Sequence, residues 1–232
     1  MPDLTSRVAS LKCWRRPVDP IPLAGGITNT NFLVEDVGEK FVVRVGDDIP
    51  LHQIMRFNEL AASKAAFNAG LSPEVFHNED GILVLRFIEG KTLTAQDVNN
   101  QDILTRILPV LRRCHQEIPH YLKGPILSFW VFHVVRDYAN TINAGQGRLA
   151  SRLSDLLEFS SHLEKAVGPI DVVFGHNDLL SSNFIDDGSK IWLIDWDYAG
   201  FNSPLFDLGG LASNNDLTQI QEKWLLENYF EV

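Results

Sequence analysis

Apolar and polar positions change period several times along the chain, and the changes mark its elements. Asn31 to Val34 and Lys40 to Val45 are β-branched or aromatic-rich runs flanking Glu35-Asp36-Val37-Gly38-Glu39, which predicts a hairpin around a glycine-bearing turn. From Leu51 to Phe67 the pattern predicts a helix, stopped at Asn68-Ala69-Gly70. Gly81 to Ile88 is a nearly continuous apolar run between Asp80-Gly81 and Glu89-Gly90, which predicts a buried strand leading into a short connection. Gln101 to Glu117 places Ile103, Ile107, Leu108 and Leu111 at helical spacing, with Pro109 predicting a kink or a late start. A second long helical region spans Trp130 to Ala166, interrupted around Ala144-Gly145-Gln146-Gly147. Strand-like pieces follow Gly168-Pro169, and Asp216 to Tyr229 closes the chain as a helix. The predicted class is α+β, with a β-rich N-terminal lobe over residues 1–89 and a mostly helical C-terminal lobe over residues 90–232.

Composition narrows this picture. The 232 residues are 45% hydrophobic and 22% charged, which excludes disordered and fibrous classes. A net charge of −10 argues against nucleic acid as a partner, although a local basic pocket for a small phosphate compound is compatible with it. Two cysteines, Cys13 and Cys114, make neither a disulfide framework nor a zinc knuckle. No signal-peptide pattern precedes Pro17, and no apolar run approaches the roughly 18 residues of a membrane span, so a soluble, cytoplasmic protein is expected.

The chemistry concentrates between Phe174 and Gly210. Asn183-Phe184-Ile185 and Lys190 to Ile194 read as two strands joined by the turn Asp186-Asp187-Gly188-Ser189. That hairpin returns Asp195 to the end where Asn183 begins, with Asp178 five residues ahead of Asn183. Three oxygen-bearing side chains thus converge, and a small set of hard oxygen ligands suits Mg2+ completed by substrate phosphates.

The order His176-x-Asp178-x-x-x-x-Asn183, followed after a hairpin by Asp195, resembles the catalytic segment of protein-kinase-like phosphotransferases. Asp195-Trp196-Asp197-Tyr198 and Phe206-Asp207-Leu208-Gly209 resemble the bacterial choline/ethanolamine kinase branch of the aminoglycoside-phosphotransferase-like superfamily. Gly25-Gly26-Ile27-Thr28-Asn29 is similar to its phosphate loop, Arg86 to Leu93 to its inter-lobe hinge, and Leu111 to His115 to the helix preceding its catalytic segment. The resemblance implies a two-lobed protein-kinase-like fold and an ATP-dependent transfer of phosphate to the hydroxyl of choline, ethanolamine or a similar amino alcohol. An aminoglycoside, thiamine or sugar hydroxyl is the alternative acceptor, and a non-catalytic nucleotide-binding module is the alternative class.

The roles it implies fall on particular residues. Asp178 orients the acceptor hydroxyl, and Asn183 and Asp195 hold Mg2+. Gly25, Gly26, Thr28 and Asn29 cradle phosphates, and Arg44 stands where many kinases place lysine, held by Glu59. His176 braces the catalytic loop, and Asp207 ties it down. Asp197 and Tyr198 join Asp178 at the acceptor, with Trp196, Phe201 and Trp224 as further candidates to face a cation. Asn214 stands where eukaryotic choline kinases carry a glutamate, and the end at Glu231-Val232 reads as a short or truncated C-lobe. The oligomeric state is left open.

Overall fold

The protein is described here by a computed structural model covering residues 4–24, 28–144 and 149–231. Gly25, Gly26 and most of the predicted break after Ala144 lie outside the described residues. Helix α1 (Leu4–Ala9) precedes the strands β1 (Ile21–Leu23), β2 (Thr30–Asp36) and β3 (Glu39–Val45). The β2–β3 turn has Val37 and Gly38 both left-handed (φ 53° and 79°), as a two-residue turn matched to strand twist requires. After helix α2 (Arg56–Asn68), strands β4 (Val75–Glu79) and β5 (Ile82–Arg86) complete an antiparallel sheet of order β1-β2-β3-β5-β4. One face buries Phe32, Val34, Phe41, Val43 and Val84 under Val8 and Leu11 of the N-terminal segment, with Trp14 packed alongside. The opposite face turns Asn31, Val42, Arg44 and Leu85 toward a cleft.

Helix α2 begins five residues later than the pattern predicted. Pro50–His52 forms a 3-10 turn, and the left-handed Gln53 (φ 59°) breaks the chain before Arg56 can start the helix. Although α2 lies between strands β3 and β4 of the sheet in sequence, Ala62, Ala65 and Ala66 pack with the C-terminal core, among Leu104, Ile107, Leu111, Phe174 and Trp196. Asn58, buried on the same helix, donates from Nδ2 to the Ala199 carbonyl (2.7 Å) and accepts from the Leu127 amide at Oδ1 (2.9 Å). The Leu193 amide bonds the Leu71 carbonyl (2.9 Å), and Trp196 Nε1 donates to Ser72 (3.0 Å).

The C-terminal part contains β6 (Lys91–Thr92), α3 (Ala95–Val98), α4 (Gln101–Glu117), α5 (Val131–Ala144) and α6 (Leu153–Val167). Helix α4 runs unbroken through Pro109, which sits on its exposed side, where the carbonyl deprived of a partner meets water. Strands β7 (Val173–Gly175), β8 (Phe184–Asp186), β9 (Ile191–Leu193) and β10 (Gly200–Asn202) carry the chemical segment, and helices α7 (Pro204–Asn214) and α8 (Gln219–Phe230) follow. Helix α7 was not predicted: Ser203 caps it and Pro204 starts it, but Gly209-Gly210 hides its period. Among the described residues no helix is long and apolar enough to cross a membrane.

Asn58 is thus a rivet between α2 and two segments of the C-terminal part. Asn58→Ala leaves the half-buried Leu127 amide and the buried Ala199 carbonyl without this partner, and is expected to cost about 3 kcal/mol of stability, measured by urea denaturation.

Candidate active site

The loop between β7 and β8 is built around a buried carboxylate. Asp207 of α7 accepts the backbone amides of His176 (2.8 Å, Oδ2) and Asn177 (2.7 Å, Oδ1), and His115 Nε2 from α4 (2.9 Å). Glycine is required at 175, because a Cβ there would meet Asn177 Oδ1 at 2.8 Å and Asp207 Oδ2 at 3.1 Å. Asn177 is left-handed (φ 64°), and its side-chain amide donates to the Tyr198 and Gly200 carbonyls (3.0 and 3.2 Å). His176 spans the loop: Nε2 donates to the Ile194 carbonyl (2.9 Å), which leaves Nδ1 to accept the Asp178 amide (3.3 Å).

Asn183 Nδ2 donates to the Asp178 carbonyl (2.8 Å) and carboxylate (3.3 Å), so Oδ1 is the atom left for a ligand. The Ile194 amide bonds the Asn183 carbonyl (2.9 Å), and Asp195 follows in a left-handed conformation (φ 69°). Asp178, Asn183 and Asp195 all line one cavity of about 670 Å³, walled on the sheet side by Val42, Arg44 and Leu85 and below by Ile185 and Ile194.

Arg44, only 8% exposed, is the centre of the charge network. Its Nε pairs with Glu59 (3.0 Å), and its Nη2 with Asp195 (2.7 Å) and Asp197 (3.1 Å). Arg56 bridges Glu59 (2.6 Å) and Asp197 (2.9 Å) from the first turn of α2. Burial opposes the Arg44 charge, but Glu59, Asp195 and Asp197 outweigh it and raise its pKa. The Asp197 carboxylate also accepts from Thr28 Oγ1 (2.7 Å) and Asn29 Nδ2 (3.1 Å). Burial opposes its ionisation too, yet the arginines and these donors hold its pKa below the ordinary range. Asp178 differs: burial dominates and lifts its carboxyl.

The structure therefore brings together Thr28, Asn29, Arg44, Glu59, Asp195 and Asp197, and beside them Asp178 and Asn183. Tyr198 lines the same cavity, with the Phe129 ring edge-on at 5.9 Å. The other aromatic candidates pack elsewhere: Trp196 lies buried against His176 (4.7 Å), Phe201 against Phe174 (5.6 Å), and Trp224 against the C-terminal core. Asn214 is exposed at the end of α7.

A family model described as Choline/ethanolamine kinase matches residues 21–215, which takes in every element of this cavity. The chain belongs to the choline/ethanolamine kinase family. Its similarity to LicA of Haemophilus influenzae is 29% identity over 215 residues, covering 90% of this chain and 62% of that protein. A choline/ethanolamine kinase family structure from Mesorhizobium loti superposes with a TM-score of 0.74 at 26% identity, covering 98% of this chain and 75% of that one. A LicA solved with AMP gives 0.69 at 24% identity, covering 97% and 78%. The chain thus spans less than two thirds of the Haemophilus LicA, and its fold is the two-lobed protein-kinase-like one shared with these kinases.

Sequence reasoning missed Arg56 and Asn58. Arg56 carried one usable signal, an acidic partner three residues on at Glu59. Asn58 carried none, since its partners are two distant backbone groups.

Two outcomes test the network. Arg44→Met leaves Asp195 without its cation and Glu59 and Asp197 sharing Arg56, and is expected to cost about 3–5 kcal/mol by chemical denaturation. For Asp207, burial is outweighed by hydrogen bonds from His115 and the loop, so its folded pKa lies below its unfolded one. Its ionised form stabilises the fold above the unfolded value, about pH 4, and that stabilisation disappears as the pH falls through the folded value. Asp207→Asn is expected to flatten the acid limb of stability against pH, read by thermal melting below about pH 4.

Proposed function

We propose that the protein is an ATP- and Mg2+-dependent phosphotransferase acting on the hydroxyl of choline, ethanolamine or a similar amino alcohol. The observation that carries this reading is the convergence of Asp178, Asn183 and Asp195 on one cavity beside the buried Arg44. Phosphoryl transfer asks the protein for in-line positioning and for neutralisation of charge on phosphate oxygens, and these groups supply both.

Asp178 accepts the proton of the acceptor hydroxyl, and its burial makes it a stronger base than an exposed aspartate. Asn183 Oδ1 and the Asp195 carboxylate are the hard oxygen donors that would hold Mg2+, whose chemistry when bound is to neutralise phosphate charge. Arg44 presents its fork between Asp195 and the sheet, where a phosphate can be gripped. Gly25 and Gly26 cradle phosphates in this reading, next to Thr28 and Asn29. Asp197 has both oxygens engaged by Thr28, Asn29 and two arginines, so it fixes the phosphate-side loop while Tyr198 faces the acceptor. An aromatic face beside a carboxylate favours a cationic amino alcohol.

An ADP-release assay over a panel of amino alcohols, aminoglycosides, thiamine and sugars tests the assignment. Choline or ethanolamine is expected to lead, with Asp178→Ala lowering kcat by about 10²–10⁴. Turnover no higher than that of Asp178→Ala with every acceptor, alongside thermal stabilisation by nucleotide, would make the protein a binding module instead. A strong preference for a polycationic drug would overturn the acceptor.

A further inference from the structure

Helix α8 lies away from the cleft, yet its last turn reaches the catalytic loop through a chain of side chains that runs from the half-buried Tyr229 to the buried His115 and Asp207. Tyr229 Oη is 2.6 Å from His115 Nδ1, and the two rings meet edge-on with centroids 5.5 Å apart. The same imidazole reaches Asp207 through Nε2, and the side chains of His115 and Asp207 are 0% and 1% exposed. A carboxylate only accepts, so Nε2 carries the proton shared with Asp207, and Nδ1 is the atom that answers to Tyr229. Burial, aided by the nearby Asp207, pushes the Tyr229 phenol up to about 12, so it keeps its proton through neutral pH. Arg112 clasps the same helix end, donating to the Asn228 and Tyr229 carbonyls and pairing with Glu231 at 3.0 Å.

What hangs from this chain is strained backbone. Asn177, immediately before Asp178, sits in the left-handed region that a non-glycine residue occupies only when its surroundings over-determine it. Asp207 supplies much of that restraint by holding the amides of His176 and Asn177 together. The family match ends at residue 215, so it contains Asp207 and His115 but not Tyr229.

We propose that Tyr229 is a positioning residue for phosphotransfer: it fixes the orientation of His115, which keeps Asp207 on the His176 and Asn177 amides and so aims Asp178. The kinetic consequence rests on the phosphotransferase reading above; the structural one does not.

Tyr229→Phe keeps the ring and its packing and removes only the hydroxyl. Two readouts separate the proposal from the reading on which it rests. With the acceptor that leads the panel, kcat is expected to fall about tenfold, with KM for acceptor and nucleotide each within about twofold. Amide hydrogen exchange in peptides covering Phe174 to Leu179 is expected to accelerate about tenfold, whether or not any acceptor is turned over. Ile220→Ala, which removes an exposed side chain at the opposite end of α8, is expected to change neither readout by more than about twofold. Unchanged exchange in Tyr229→Phe overturns the proposal, as does an equal acceleration in Ile220→Ala. Accelerated exchange in an enzyme with no acceptor leaves the link from Tyr229 to the loop standing and removes the phosphotransferase reading.

Discussion

The guanidinium of Arg44 is the constraint on which the rest of the structure depends. The described residues form two apolar cores, one between the sheet and the N-terminal segment and one in the C-terminal part, and α2 packs with the second. Glu59 on α2 and the Asp195–Asp197 segment therefore belong to one body, while Arg44 projects from β3 of the other. A single side chain thus joins the sheet to three carboxylates across the cleft. Because a buried charge is tolerated only while its partners stay in place, sheet position, helix position and the conformation at Asp195 are coupled electrostatically. The helix cannot drift independently, since Asn58, one residue before Glu59, bonds Ala199 and Leu127.

The second constraint is conformational. Asn177 and Asp195 are both non-glycine residues at positive φ, at the two turns that deliver Asp178 and the Asp195 carboxylate into the cavity. Each costs on the order of 1 kcal/mol relative to a right-handed or extended residue, so each has to be held. Asn177 is held by Asp207 and by two carbonyls just after the Asp195 turn, at Tyr198 and Gly200. Asp195 is held by Arg44. The two strained turns brace each other, and His176 closes the bracket by joining the Asp178 amide to the Ile194 carbonyl.

How much of this could be read beforehand follows from the range of each interaction. The β2–β3 hairpin and the β8–β9 hairpin were legible because strand alternation and turn chemistry are local. Asp178, Asn183 and Asp195 were legible as a group because the intervening hairpin fixes their juxtaposition within eighteen residues of sequence. The start of α2 was misplaced because the left-handed Gln53 and the Ile49–Ile54 bridge are tertiary choices that helix propensity does not encode. Helix α7 was hidden by a glycine pair that ordinarily signals a turn, here tolerated because Pro204 and Ser203 start the helix firmly. Asn58 and Tyr229 act through partners 69 or more positions away, so nothing in their neighbourhoods announces them, and Arg56 shows locally only Glu59 and not its distant partner Asp197.

The pairing of Asn58 with Glu59 carries a consequence for the two ends of the cavity. Glu59 holds Arg44 at the proposed phosphate end. Asn58 holds the Leu127 amide, and two residues on, the Phe129 amide bonds the Phe201 carbonyl (3.0 Å) while its ring lies against Tyr198 at the proposed acceptor end. Adjacent residues on one buried helical turn therefore support opposite walls of the same cavity. A shift of α2 large enough to release Arg44 would also pull on the segment that seats Phe129 against Tyr198. Acceptor fit and phosphate grip are in this way mechanically linked, through a helix whose buried apolar side chains are alanines and so offer few alternative packings.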